Sequence, residues 1–149
     1  MTEGLNDSTV SPTEIIEELT FYVEGNPAPQ GSKKHVGNGI MVEASRALPA
    51  WRKAVTDAAV EALAGRTGFI HKEAVHCSMR FFMNRGKTVK RDLPTVTPDL
   101  DKLERAVNDA LTKAGVWGDD AQVTNATHSK QYAPELTSPG VQVTVRRTA

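Results

Sequence analysis

Acidic side chains gather around one stretch of the chain, residues 98–120, and their types and spacing are suited to metal chemistry. Asp99 and Asp101 stand two residues apart, and Asp119 and Asp120 follow about one helix length later. Carboxylates crowded together repel one another unless something positive lies between them. Oxygen donors of this kind, without clustered His or Cys, favour Mg²⁺ or Mn²⁺ over Zn²⁺. The sequence therefore predicts a divalent-cation site among these carboxylates.

The same stretch has the periodicity of a helix that would position the acids. Asp101, Arg105 and Asp109 are spaced four apart on one face. Pro98 suits the helix entry, and Asp99 suits a capping position there. Because side chains two apart within a helix diverge by about 200°, Asp99 must precede the helix if both acids are to reach one ion. The apolar residues that mark the adjoining buried face are Leu100, Leu103, Val107, Ala110, Leu111 and Ala114.

Each acidic feature also has a plain structural explanation, which stays open on the residues alone. An Asp before a helix is usually only a cap. Acids and an arginine spaced four apart can be a surface ion-pair ladder worth about 0.3–0.5 kcal/mol per pair. Two adjacent Asp residues in a turn are commonly a solvated pair. A calcium loop of the EF-hand type is excluded, because its glycine and terminal Glu are missing.

Two basic segments precede the acidic stretch. Residues 26–35 contain two prolines, a glycine and the pair Lys33 and Lys34, which predicts a basic loop. Residues 84–98 form a long connection without apolar periodicity, and such connections are often functional. A phosphodiester-cleaving enzyme needs this arrangement, since cations hold the backbone and carboxylates hold the metal. The predicted DNA-backbone contacts are Lys33, Lys34, Arg85, Lys87, Lys90 and Arg91.

The formal net charge of zero hides an uneven distribution. Six of the 18 acidic residues and none of the 18 basic ones fall within residues 1–24, so the rest of the chain is basic. This favours polyanion binding about as well as an ordinary mixed surface. No apolar run is long enough for a bilayer and no export signal precedes the domain, which predicts a cytoplasmic protein. The single Cys77 excludes an internal disulfide.

The order of apolar patterns predicts a mixed α/β domain, in which a β-sheet packs against two main helices. The domain is expected at residues 19–149, after a flexible acidic tail at residues 1–18 with one helical turn near 14–19. Trp51 is expected in the core. The predicted elements are strands at 19–25, 75–83, 121–130 and 141–146, a small hairpin with its turn at 37–39 and a short strand at 40–43, and helices at 48–63 and 100–114.

Residues 98–130 closely resemble the core motif of the RusA family of Holliday-junction resolvases, which is common in phages and prophages. The resemblance rests on DLDKL at 99–103 and DALTKAGVWGDDAQV at 109–123, and PAPQGSK at 27–33 resembles the family's Pro-rich basic loop. The order of elements matches over roughly residues 19–147. The resemblance implies a RusA-like fold and a Mg²⁺-dependent homodimer, with Mn²⁺ as a possible substitute. Such a dimer would cut four-way DNA junctions by paired symmetric nicks.

The resemblance also assigns site residues. Asp99, Asp101 and Asp120 match the family's essential carboxylates, and they are the expected metal ligands. Lys130 falls where the family often has a lysine, and Arg105 falls where it has a lysine thought to be catalytic. Arginine can hold a phosphate or stabilise charge, but it does not donate a proton near neutral pH.

Two other functions remain open. The first is a nuclease of the same chemistry that acts on other branched DNA. The second is a non-catalytic phage DNA-binding protein, in which the acids are only caps and ion pairs.

Overall fold

A computed structural model describes residues 15–31, 33–35, 37, 41–43 and 45–148. Four long strands, two helices and a small hairpin make up these ranges. In chain order the elements are β1 (Glu18–Glu24), β2 (Lys33–His35), β3 (Met41–Glu43), α1 (Leu48–Leu63), β4 (Val75–Met83), α2 (Leu100–Ala114), a turn of 3₁₀ helix (Asp120–Gln122), β5 (Val123–Tyr132) and β6 (Gly140–Arg147).

The four long strands form one mixed sheet in the order β1-β6-β4-β5. β6 is antiparallel to both β1 and β4, whereas β5 is parallel to β4. Parallel neighbours need a crossover connection, because a tight turn cannot join them. Here the crossover runs from β4 to β5, and it contains the long basic connection at residues 84–98, α2 and the Asp119-Asp120 turn. The topology therefore brings the residues with candidate chemistry to one connection.

The helices cover the apolar side of this sheet. The inward residues of β4 and β6 alternate with outward polar ones, and Trp51 of α1 is buried as predicted. The fold class predicted from the sequence is confirmed. The buried apolar residues of β4, β6, α1 and α2 are Val75, Cys77, Met79, Phe81, Val141, Val143, Val145, Leu48, Trp51, Val55, Ala59, Leu63, Leu103, Ala106, Val107, Ala110 and Leu111.

The chain joins the sheet earlier than expected. Ile16 is buried, Arg147 N donates to Glu17 O at 3.1 Å, and β1 has begun by Glu18. The predicted helical turn is therefore wrong over the described residues, because the β6 edge offers backbone partners that an isolated turn lacks. Of the predicted tail, residues 1–14 lie outside the described residues.

Other boundaries differ by one or two residues. The hairpin is confirmed, with Lys33 opposite Glu43, although part of its turn lies outside the described residues. α1 spans Leu48–Leu63 as predicted, and it ends where Ala64 adopts the left-handed conformation at φ 52°. β5 starts at Val123, because the 3₁₀ turn occupies the preceding positions. Within the described ranges, no helix combines the length and apolarity that crossing a membrane requires.

Candidate active site

The start of α2 presents two carboxylates to solvent. Asp99 is the N-cap residue and has an extended backbone (φ −67°, ψ 143°), so it precedes the helix as the two-acid site requires. Its carboxylate accepts no capping hydrogen bond, which corrects the expected cap. Asp99 Oδ2 lies 3.5 Å from Lys102 Nζ, and Asp101 Oδ2 lies 3.8 Å from Arg105 Nη2. With side chains 52% and 64% exposed, both acids remain accessible to a ligand.

Lys130 of β5 fixes the loop that leads into this helix. Its Nζ donates to Val96 O at 2.6 Å and to Pro98 O at 2.7 Å. The Thr97–Pro98 peptide bond between these carbonyls is cis. The amine therefore ties the backbone just before Asp99 to the sheet. The resemblance assigned Lys130 to the active site, and in the structure its amine binds two backbone carbonyls of the loop before α2.

The Pro-rich loop docks on α2 through Gln30. Gln30 N donates to Lys102 O at 2.9 Å, and its Nε2 donates to Asp109 Oδ2 at 2.5 Å. Its Oε1 accepts from Arg52 Nη1 of α1 at 2.8 Å. One side chain thus connects the loop and both helices, and Asp109 bonds to Gln30 instead of completing an ion-pair ladder with Arg105. The sequence analysis missed Gln30, since a glutamine in a loop has no pattern of its own.

Arg105 lies against the same loop. A Cβ added at Gly31 would come within 2.7 Å of Arg105 Nη1, and Gly31 has φ +97°, a conformation that side chains disfavour. Gly31 therefore leaves the space that the guanidinium occupies beside Asp101. Arg105, which the resemblance assigned as a catalytic cation, therefore lies between this loop and Asp101.

The turn that carries Asp120 is held by Gln122. Gln122 Oε1 accepts from Gly118 N at 2.8 Å and from Asp119 N at 3.0 Å. Gln122 Nε2 donates to Phe69 O at 2.7 Å and to Glu73 O at 2.9 Å. Both donor and both acceptor positions of the carboxamide are used. The sequence predicts a strand at Gln122 and does not indicate this role, whereas the structure places the residue in the 3₁₀ turn.

Asp120 has acidic neighbours. Its pKa is raised first by desolvation, then by a hydrogen bond with Asp119, and then by repulsion from Asp119 and Asp109. Asp109 follows Asp101 by eight residues, about 12 Å along the helix axis. Among the described residues, no three His, Cys, Asp or Glu side chains are grouped closely enough to hold a metal ion. At the start of α2, Asp99 and Asp101 therefore each face a different cation, whereas Asp120 has Asp119 and Asp109 as its charged neighbours.

The donor chemistry at the start of α2 fits a hard cation even so. Mg²⁺ typically takes one or two carboxylates and keeps water and substrate phosphates in its other positions. Asp99 and Asp101 supply such oxygens, because neither carboxylate is used in capping the helix. Mg²⁺ does not require that all of its ligands come from the protein.

The long basic connection at residues 84–98 packs on an aromatic side chain. The guanidinium carbon of Arg85 lies 4.9 Å from the ring centre of Tyr132, and that of Arg91 lies 6.0 Å from it. Arg85 Nη2 also donates to Arg91 O at 2.8 Å. Lys87 and Lys90 are exposed on the same loop. The loop is therefore an ordered basic surface beside a groove of about 690 Å³.

The other two predicted DNA contacts, Lys33 and Lys34, lie on β2. Their side chains are outside what the structure describes.

This α/β domain places exposed carboxylates beside guanidinium and ammonium groups, and a phosphodiester-cleaving enzyme needs both kinds of group. A family model described as Endodeoxyribonuclease RusA matches residues 24–146 of this chain. The chain belongs to the RusA endodeoxyribonuclease family, as the motif predicted. No curated protein matches the chain. Family membership supports a nuclease, a hydrolase that acts on DNA.

Proposed function

We propose that this protein is a Mg²⁺-dependent endonuclease that resolves four-way DNA junctions by paired symmetric nicks. It would act as a homodimer in DNA recombination and repair, in the cytoplasm of a bacterial host. The observation that carries the proposal is the exposed, uncapped carboxylate pair of Asp99 and Asp101, in a chain that belongs to an endodeoxyribonuclease family.

The proposed roles follow from position and chemistry. Asp99 and Asp101 would hold Mg²⁺ at the start of α2, and Asp120, which the resemblance also assigns as a ligand, would act from the separate acidic group that it forms with Asp109 and Asp119. The chemistry that this ion supplies when bound is polarisation of a phosphoryl oxygen and activation of the attacking water. Arg105, 3.8 Å from Asp101, would stabilise charge on the phosphate. Because a guanidinium keeps its proton, Arg105 serves electrostatically. Lys130 would hold the backbone that orients Asp99.

DNA would be held through its backbone. Lys33, Lys34, Arg85, Lys87, Lys90 and Arg91 would contact phosphates, which position a duplex without reading its sequence. In a two-fold dimer, two identical sites would face the two symmetry-related strands of a junction. That geometry supports paired nicks over single random ones.

Cleavage of defined DNA substrates tests the proposal. Synthetic four-way junctions, flaps and linear duplexes are incubated with the protein, with Mg²⁺ present or chelated. Symmetric nicks at the junction that require Mg²⁺ are the expected result. Preferential cutting of flaps would assign the protein to other branched DNA. A folded protein that binds junctions and cuts no branched DNA would contradict both nuclease functions.

The variant Asp101→Asn tests the carboxylate role directly. It removes a charge at nearly constant shape, so we expect normal folding and junction binding but cleavage reduced by at least about 100-fold, the size of effect seen when a group that stabilises transition-state charge is lost. The matched control is Asp57→Asn, an exposed acid of α1 paired with Lys53. Cleavage by Asp101→Asn at the rate of the control would exclude a direct role for this carboxylate.

A further inference from the structure

A cleft between α1 and the Pro-rich loop gathers three guanidinium groups, of which the proposed function uses only one. It has a volume of about 700 Å³ and opens to solvent. None of its described lining residues is acidic, and of its three arginines Arg105 also pairs with an acid outside the lining, Asp101, at 3.8 Å. The lining residues are Gln30, Gly31, Ser45, Arg46, Leu48, Pro49, Arg52 and Arg105.

Two of the three arginines are held in place by their surroundings. Arg52 is partly buried, and its Nη1 donates to Gln30 Oε1 at 2.8 Å. Arg105 is seated against Gly31, which has no side chain to displace it. Arg46 is exposed just before α1 begins at Leu48. Pre-oriented guanidinium groups lose less conformational freedom on binding than free ones, and their planar forks match phosphate oxygens.

The cleft is continuous with the candidate active site. Arg105 lines it and also lies 3.8 Å from Asp101, so one side chain borders both. Gly31 and Ser45, at the two ends of the hairpin segment that carries Lys33 and Lys34, line it as well. A DNA strand with its reacting phosphate at Asp101 would therefore meet this cleft at a neighbouring phosphate.

We propose that the cleft binds a backbone phosphodiester of the substrate strand, next to the phosphate that is cleaved. Arg46 and Arg52 are then DNA-binding residues that no sequence motif marked. The identity of the ligand as DNA rests on the proposed function. The site itself rests on the three arginines, the fixed orientation of Arg52 and Arg105, and the absence of acids among the described lining residues.

Salt-dependent binding tests this assignment. Binding of a fluorescent four-way junction is measured by anisotropy in EDTA at several salt concentrations, for the wild type, Arg46→Ala and Arg52→Ala. Each variant should bind several-fold more weakly, and the slope of log affinity against log salt should fall by about 1 for each lost phosphate contact. Lys53→Ala is the matched control, since this α1 lysine is ion-paired with Asp57 and does not line the cleft. It should keep the wild-type slope.

Two further outcomes separate the possible causes. Gln30→Ala removes the hydrogen-bond partner of Arg52 without changing charge, so binding should weaken while the salt slope falls less than it does in Arg52→Ala. If Gln30→Ala lowers the salt slope as much as Arg52→Ala does, and Arg46→Ala keeps the wild-type slope, Arg52 acts only by holding the loop. That result would overturn the assignment of the cleft as a phosphate site. Wild-type binding by both arginine variants would overturn it too, while Mg²⁺-dependent junction cleavage would stand. Conversely, a wild type that cuts no DNA would refute the nuclease, while slopes lowered in the arginine variants would still support the cleft.

Discussion

The side chain of Gln122 uses its full hydrogen-bonding capacity to hold the turn that carries Asp120. The variant Gln122→Glu would place a carboxylate oxygen against two backbone carbonyls, and it would lose both donated bonds. We expect the free energy of unfolding to fall by about 1–3 kcal/mol, the cost of leaving buried polar groups unpaired. Urea denaturation measures this change. Gln142→Glu is the control, because Gln142 makes no side-chain hydrogen bond within the described residues, and equal losses in the two variants would contradict the assigned role.

Single residues also show where sequence reasoning stopped. The motif identified Asp99 and Lys130, and the spacing correctly placed Asp99 ahead of the helix. It did not show that the Asp99 carboxylate is free of the cap, or that the Lys130 amine binds carbonyls of the preceding loop. Those contacts join atoms distant in sequence, and a backbone carbonyl leaves no trace in residue type. The metal-ligand set stays a prediction for the same reason, since it depends on distances between separate elements.

The segment before β4 packs directly on the end of α2 through Gly68. A Cβ at Gly68 would lie 2.3 Å from Gly115 O and 2.5 Å from Val116 O. Gly68→Ala should therefore push apart the segments that Phe69 N and Val116 O join, and destabilise the fold by about 1–3 kcal/mol, as overpacking does. Thermal unfolding measures the loss. Gly86→Ala is the control, since its Cβ would meet only Val89 Cγ2 at 3.4 Å. A Gly68 variant as stable as this control would exclude the close contact.

Regular elements were predictable because their periodicity is local. β4 matches its predicted residues 75–83, and α2 matches the predicted helix through to Gly115 in the left-handed conformation. The entry to β1 was not predictable, because the pairing with β6 that fixes it involves a strand more than a hundred residues away. The docking of the Pro-rich loop on α2 was equally hidden. Its residues indicate an irregular connection but not which surface it covers.

At the scale of the whole molecule, the carboxylates with candidate chemistry lie on one connection, between β4 and β5. Because β5 is parallel to β4, the crossover must pass over the sheet, and this crossover contains α2 with both groups of acids. The basic loop precedes α2 in the same connection, and the arginine cleft adjoins α2 through Arg105. Carboxylates at the centre with cations on both sides are suited to a metal-assisted reaction on a polyanion. The uneven charge distribution in the sequence anticipated a basic domain, although not the cleft.

The stability of the domain should depend on pH through His128. This β5 side chain lies against α2, with its Nε2 3.7 Å from Glu104 Oε1. Burial lowers the His128 pKa, and His76 lowers it further. These effects outweigh the Glu104 carboxylate, which raises the pKa. Near pH 6 the unfolded chain, with a histidine pKa of about 6.5, binds more protons than the folded one. The free energy of unfolding therefore rises with pH through this window, reaches its full value above about 6.5, and is lost as pH falls through the folded-state pKa.

Urea titrations between pH 5 and 7.5 measure this slope, which His128→Gln should flatten whatever its effect on absolute stability. His71→Gln, at an exposed position outside the sheet, should keep the wild-type slope. A wild-type slope in His128→Gln would mean that this histidine ionises equally in both states, and that its burial against α2 does not control the acid sensitivity of the fold.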